Sequence, residues 1–363
     1  ICIPMPIVAH NGLPTFERLR ADGQFILDPN RALHQDIREL HIGLLNMMPD
    51  AALEFTERQF CRLVGQSNQI DQFFVHPFSL EAQPRGPMIR DHIERYYETF
   101  DQIRAQGLDA LIITGAVPKH PDLASEAFWE PLSEVIDWAV ENVTSTLCSC
   151  LATHAVLQLR YGQRRVPLAQ KRWGVYAHQV VDDHRHPPRV RNVNTRVDVP
   201  HSRFNEISRH QFDAAGLRVL VESDEAGVHL AVSEDGFRLV FFQGHPEYDT
   251  VSLLKEYKRE VGRFIQGQRP DYPPFPEHYI RLRDRAILEE HRLRILEALD
   301  RGQTPPKVPE TRVATSLDNT WHDTAEGVVG NWMGCIYQVT NSDRRLPFMP
   351  GVDPDDPLGL RRL

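Results

Sequence analysis

"VTSTLCSCLATHAVLQLRYG", residues 143–162, changes its period in the middle. Residues 143–150 read as a strand, whereas 151–162 carry helical spacing and stop at Gly162. A strand that re-enters at once as a helix lifts its junction residue, Cys150, out of the sheet. The helix's first N–H groups and positive dipole end then face that residue, which favours a thiolate and a developing oxyanion. Sites in open parallel sheets gather at the carboxyl ends of strands. A strand-end cysteine alone is nevertheless more commonly an inert buried side chain.

Similar alternations lie on both sides of this stretch. "HIGLLNMM" (41–48), "QIDQFFVH" (69–76) and "LDALIITGA" (108–116) read as strands. "ALEFTERQFCRLVG" (52–65) and "FWEPLSEVIDWAVEN" (128–142) read as amphipathic helices between them. That order predicts an α/β fold, a mostly parallel sheet flanked by helices. Downstream, "LRVLVES" (217–223), "GVHLAVSED" (227–235) and "RLVFFQGHPEYD" (238–249) predict a strand meander, and 250–267 a helix. A charged amphipathic helix at 281–302 precedes the Pro-rich linker "QTPPKVPET". The expected organisation is an N-terminal arm (1–34), a catalytic domain (35–275), C-terminal additions (276–345) and a tail (346–363). The additions comprise the 281–302 helix and a segment packing back on the catalytic domain.

The chain of 363 residues is 41% hydrophobic and 25% charged, enough apolar material for a substantial core. A formal net charge of -9 argues against a nucleic-acid binder, so an anionic ligand needs local Lys and Arg. Cys2, Cys61, Cys148, Cys150 and Cys335 are odd in number and irregularly spaced, which suits neither a disulfide framework nor a C-x-x-C zinc site. No stretch approaches the roughly 18 apolar residues of a membrane span, and the expected compartment is a reducing cytoplasm.

A nucleophilic cysteine needs a base, and the base needs an orienter. "FFQGHPEYD" (241–249) supplies both: an apolar strand runs into Gly244, and His245 follows at its carboxyl end with Glu247 two residues on. That spacing lets a carboxylate hold the imidazole's tautomer.

Cys150, His245 and Glu247 together resemble the class I glutamine amidotransferases, whose fold is flavodoxin-like, here with a C-terminal extension. Ser149, Leu151 and Ala152 stand where those enzymes usually carry glycines around the nucleophile. The closer resemblance is to the homoserine O-succinyltransferase (homoserine trans-succinylase) family. It runs through "RALHQDIREL" (31–40), "LLNMMP" (44–49), "LIITGA" (111–116), "NVTSTLCSCLATHAVLQLRYG" (142–162), "GVYAH" (174–178), "PHSRF" (200–204), "GHPEYD" (244–249) and "NTWHDTAEGVVGNWMGCIYQVT" (319–340).

This resemblance implies an O-acyltransferase of methionine biosynthesis that moves a succinyl group from succinyl-CoA to L-homoserine by a ping-pong scheme. Cys150 would carry the acyl group, His245 would act as base, Glu247 would orient it, and the Leu151 N–H would help form the oxyanion hole. Arg259 matches the family's arginine for the amino-acid carboxylate, and Lys171 and Ser202 match pocket positions. Lys119, where the family commonly has Gly or Glu, offers a cation for a succinyl carboxylate. Alternatives are acetyl-CoA as donor, L-serine as acceptor, or a glutaminase-type amidohydrolase. No metal or cofactor is expected beyond the acyl-CoA co-substrate, and the expected partners are small molecules and a second copy in a homodimer. Leu151 replaces the family's usual Trp, and His154, one turn beyond the nucleophile, reads as a helix-surface residue.

Overall fold

The computed structural model describes residues 7–22, 26–32, 38–67, 72–181, 190 and 193–360. Parts of the expected N-terminal arm (1–6, 23–25), residues 33–37 of "RALHQDIREL", the first residues of "QIDQFFVH" and the last three of the tail lie outside the described residues.

Eleven described strands form one sheet. They are β1 (Ile7–Val8), β2 (Ile26–Leu27), β3 (Glu39–Leu45), β4 (Gln72–Phe78), β5 (Ala110–Ile113), β6 (Ser145–Ser149), β7 (Val166–Val180), β8 (Arg196–Glu206), β9 (Arg218–Ser223), β10 (Gly227–Val232) and β11 (Leu239–Phe242), in spatial order β2-β1-β4-β3-β5-β6-β11-β10-β9-β7-β8. The run from β2 to β11 is parallel throughout. The remainder, β10, β9, β7 and β8, is an antiparallel extension. The mostly parallel α/β sheet and the β9–β11 meander therefore appear as the sequence predicts.

The described helices are α1 (Pro14–Ala21), α2 (Pro29–Ala32), α3 (Leu53–Ser67), α4 (Pro87–Tyr96), α5 (Phe100–Gln106), α6 (Trp129–Asn142), α7 (Leu151–Tyr161), α8 (Arg209–Ala214), α9 (Ser252–Ile265), α10 (Leu282–Asp300), α11 (Glu310–Ala314) and α12 (His322–Val339). They cover both faces of the parallel part, which is why "ALII" of β5 and "LVFF" of β11 are buried at every position. On one face, Phe16 and Leu19 of α1, Phe60 and Val64 of α3, and Trp332 and Ile336 of α12 share a core. On the other, Ile103 of α5, Leu132 and Ile136 of α6, Val156 of α7 and Phe212 of α8 do so. A third cluster joins α9, α10 and α11 through Tyr257, Leu288, Ile295 and Val313.

α12 is tied to the sheet by polar bonds as well as packing. Trp332 Nε1 donates to Ser145 Oγ at 2.7 Å, and Thr340 Oγ1 donates to Asp109 Oδ1 at 2.7 Å. A Cβ on Gly330 would stand 2.2 Å from the Ser67 carbonyl oxygen, so α12 crosses α3 at backbone contact there. Phe348, beyond α12, is also buried in this core. Among the described residues, no helix is long and apolar enough to cross a membrane.

Candidate active site

β6 ends at Ser149 and α7 begins at Leu151, leaving Cys150 alone to make the turn. It does so at φ 53°, ψ -108°, and only His278 among the other described non-glycine residues also has positive φ. Such a backbone costs about 1–3 kcal/mol and persists only where surrounding bonds enforce it. Here the Cys150 N–H donates to Phe242 O at 2.7 Å. Thr153 Oγ1, in the first turn of α7, reaches both Cys148 O at 2.8 Å and Phe242 O at 2.9 Å. The turn is thereby fastened to β11, whose Phe242 pairs in register with Ser149. Gly115, just beyond β5, lies so close that a Cβ on it would be 3.5 Å from Cys150 Cβ.

β11 delivers the second group. Beyond Phe242 the chain turns through Gln243 and Gly244 to His245, whose N–H donates to Pro200 O at 2.7 Å. A Cβ on Gly244 would come within 2.5 Å of Val199 Cγ1 and 2.9 Å of His201 Nε2, so only glycine lets the turn pass this close to β8. His245 Nδ1 is 2.7 Å from Glu247 Oε1. A carboxylate only accepts, so Nδ1 carries the proton and Nε2 is left for Cys150, to which the ring is hydrogen-bonded. Burial alone would push His245 down, but the charges and hydrogen bonds of Cys150 and Glu247 raise it well above its ordinary value. Glu247 Oε2 is buried with no hydrogen-bond partner among the described residues, so this carboxylate serves His245 alone. Tyr248 stacks on the imidazole at 4.4 Å between centroids.

Around this pair lie buried imidazoles of opposite character. Burial and the nearby Arg203 guanidinium push His201 well below its usual value, and burial takes His178 down to about 4. His154 is buried rather than on the surface, with Nε2 3.1 Å from Gln243 Oε1, and burial pushes it down to about 3. This corrects the helix-surface reading: every residue of α7 from Leu151 to Leu157 is buried, so the helix has no wet face there. Cys148, two residues before the turn, is fully enclosed, and burial pushes its thiol far up.

Lys171 and Ser202 meet at a residue that sequence reasoning missed, Glu256 of α9. Its Oε2 accepts from Ser202 Oγ at 2.6 Å and lies 3.3 Å from Lys171 Nζ, while Oε1 accepts from Tyr248 Oη at 2.8 Å. Burial raises the Glu256 carboxyl, and Lys171, Ser202 and Tyr248 together bring it below its ordinary value. Through Tyr248 this polar group abuts His245. Arg259 is one turn further along α9 and exposed, 3.7 Å from Glu260, and its charge opposes that of Lys171. Lys119 is apart from these groups, exposed on the loop after β5, where its N–H and that of His120 donate to Glu126 Oε1 at 2.5 Å each. Arg165 donates to His120 O and Pro121 O on that loop, and its guanidinium lies close enough to feel charge at Cys150, as does that of Arg203.

The structure thus brings Cys150, Leu151, His245 and Glu247 together at the ends of β6 and β11, with Lys171 and Ser202 beside them. None of the His and carboxylate groupings suited to a metal among the described residues includes these side chains. The arrangement can generate a thiolate, hold it against an imidazolium, and present helix N–H groups to a charged oxygen.

The family profile described as homoserine O-succinyltransferase matches residues 6–342. Relatives include a homoserine O-succinyltransferase of Allochromatium vinosum, 70% identical over 356 residues, spanning 98% of this chain and 99% of the relative. Another, of Thioalkalivibrio nitratireducens, is 65% identical over 358 residues, spanning 99% of this chain and 100% of the relative. Among solved structures, a glutamine amidotransferase of Methylobacillus flagellatus aligns over 82% of this chain and 95% of that one, at a TM-score of 0.41 and 11% identity.

Proposed function

The chain belongs to the homoserine O-succinyltransferase family, a family of acyltransferases, and from that premise we propose that it moves the succinyl group of succinyl-CoA to the hydroxyl of L-homoserine through a thioester on Cys150. The observation that carries the reading is His245, held between Cys150 and Glu247 at the mouth of a strained strand-to-helix turn.

In the first half-reaction His245 Nε2 takes the Cys150 proton and Sγ attacks the thioester carbonyl carbon. The carbonyl electron pair moves to oxygen, facing the Leu151 N–H. Collapse expels the CoA thiolate, which receives the proton from His245 and leaves the succinyl group on sulfur. One thioester replaces another, so little bond energy changes. In the acyl-enzyme Cys150 is neutral, so one of the two anions that hold the proton on His245 is gone. The imidazole is then free to take the proton of the homoserine hydroxyl. The alkoxide oxygen attacks, and Cys150 leaves as thiolate beside the imidazolium. Arg259 and Lys171 supply positive charge for the homoserine carboxylate. Lys119 and Arg165, both on or against the loop after β5, supply it for the succinyl carboxylate.

Mass spectrometry tests the intermediate. Succinyl-CoA without acceptor should add one succinyl group to the peptide holding residues 148 and 150, in the wild type and in Cys148→Ala but not in Cys150→Ala. L-Homoserine should then discharge it. An adduct that survives Cys150→Ala, or none in the wild type, overturns the covalent route. Parallel arms with acetyl-CoA and L-serine decide donor and acceptor by rate.

A further inference from the structure

A second cluster of ionisable side chains lies three strands across the sheet from β6, around His76 of β4, whose row holds Gly43, Leu111 and Thr146. Ile42 of β3 shares a residue row with Ala110 and Ser145, so His41 is six rows before Cys150, roughly 20 Å along the sheet. Beside it are His10, just after β1, His76 within β4, and Glu98, whose backbone bridges to Phe78. His10, His76 and Glu98 each offer a ligand atom, all within 4.8 Å of one another.

Each of the three has a partner on its far side. His10 Nδ1 is 3.1 Å from Val8 O, so it carries the proton and Nε2 holds the lone pair. That Nε2 is buried and has no hydrogen-bond partner among the described residues. Buried polar atoms are normally satisfied, and the His76 ring lies beside this one at 4.8 Å between centroids. His76 Nε2 is 2.8 Å from His41 Nδ1, leaving Nδ1 toward Glu98 Oε1 at 2.5 Å. Glu98 Oε2 accepts from Gln106 Nε2 at 2.9 Å. Ligands each oriented by an outer hydrogen bond are the usual construction of a metal centre. The protonation states agree with this. Burial lowers His10 to about 4 and His41 to about 2, and although burial opposes it, the bond from His76 keeps Glu98 below its ordinary value.

We propose that His10 Nε2, His76 Nδ1 and Glu98 Oε1 bind a divalent transition-metal ion, zinc foremost. Two imidazoles and a carboxylate suit zinc, and water completes the tetrahedron. The ion replaces the present His76–Glu98 hydrogen bond. These two atoms must open to about 3.3 Å to straddle an ion held at about 2.1 Å. The proton on His76 Nδ1 departs, His41 passes its Nδ1 proton to His76 Nε2, and His41 takes one at Nε2, 3.5 Å from Glu39 Oε2. Proton number is conserved. The role is mechanical. β1 has two residues and pairs with β4 at a single position, Ile7 with Phe73, and a bound ion clips the chain after β1 to β4 and to the start of α5.

The test uses the full chain stripped with a chelator, titrated with Zn2+ against a chromophoric chelator of micromolar affinity. Wild type is compared with His10→Ala and with the near-isosteric Glu98→Gln, so a folding defect in one does not decide the result. Both variants should bind one ion fewer than the wild type, and the rise in Tm on adding zinc should be smaller in both. The difference is the readout because other clusters, such as His322, Asp323 and Glu326, can take up metal independently. If either folded variant binds as many ions as the wild type, the site is refuted. An equal zinc-dependent rise in Tm in wild type and variants refutes the clip.

Discussion

Replacing Glu247 by Gln isolates the part of the site that depends on one carboxylate. In the wild type Oε1 holds His245 Nδ1 at 2.7 Å, and Oε2 is buried without a partner. A glutamine of the same shape keeps a carbonyl toward Nδ1 but places an NH2 group where nothing accepts from it, and it removes the charge. A hydrogen bond to a charged group is worth about 1.5–3 kcal/mol. At about 1.4 kcal/mol per decade, kcat/KM should fall about 10- to 150-fold. The same change lowers the His245 titration point, because burial still opposes the charge and only Cys150 remains to support it. The stability held in that raised value is present below the ordinary imidazole range and lost as pH rises through the folded value, so in Glu247→Gln the loss comes at lower pH. Loss of thioester absorbance from succinyl-CoA with L-homoserine measures the rate, and nitrogen NMR of the imidazole measures the titration. Activity within about threefold of wild type, or an unmoved titration, refutes the argument that Glu247 holds the proton on His245.

Glu256→Gln should leave Lys171 partly buried without its counter-ion and cost up to about 3 kcal/mol. Because Glu256 titrates below its ordinary 4.5, its contribution is present above that pH and lost as pH falls through the folded value. Denaturation of both proteins from pH 8 down to pH 3 should show a gap that is flat at neutral pH and narrows as pH falls below about 4.5, and a gap that widens in acid refutes the assignment. Gly330→Ala drives a Cβ into the Ser67 carbonyl oxygen and should cost about 1–3 kcal/mol by overpacking. An unchanged denaturant midpoint would mean that α3 and α12 slide apart freely.

The parts of this molecule that local chemistry determines were legible in the sequence. The turn at Cys150 is marked by a change of period and a glycine stop, and His245 and Glu247 are two residues apart. Glu256 was not legible, because it reads as the wet side of an amphipathic helix. Its partners Lys171 and Ser202 are 85 and 54 residues away in sequence. His154 misled for the same reason, since Gln243, which accepts its proton, is 89 residues distant. The β7–β8 hairpin was missed as well. Much of β7 is exposed, so polar residues interrupt its apolar pattern, yet the hairpin carries Lys171 and Ser202 to the site.

The bond from Trp332 to Ser145 spans 187 residues, and that from Thr340 to Asp109 spans 231. Contacts of such separation are slow to form and cannot be anticipated by local structure. On the ribosome, β6 emerges nearly two hundred residues before the helix that covers it. Until then, the apolar face that α12 shields is open to other chains. The yield of folded chain should therefore depend on how quickly translation reaches α12.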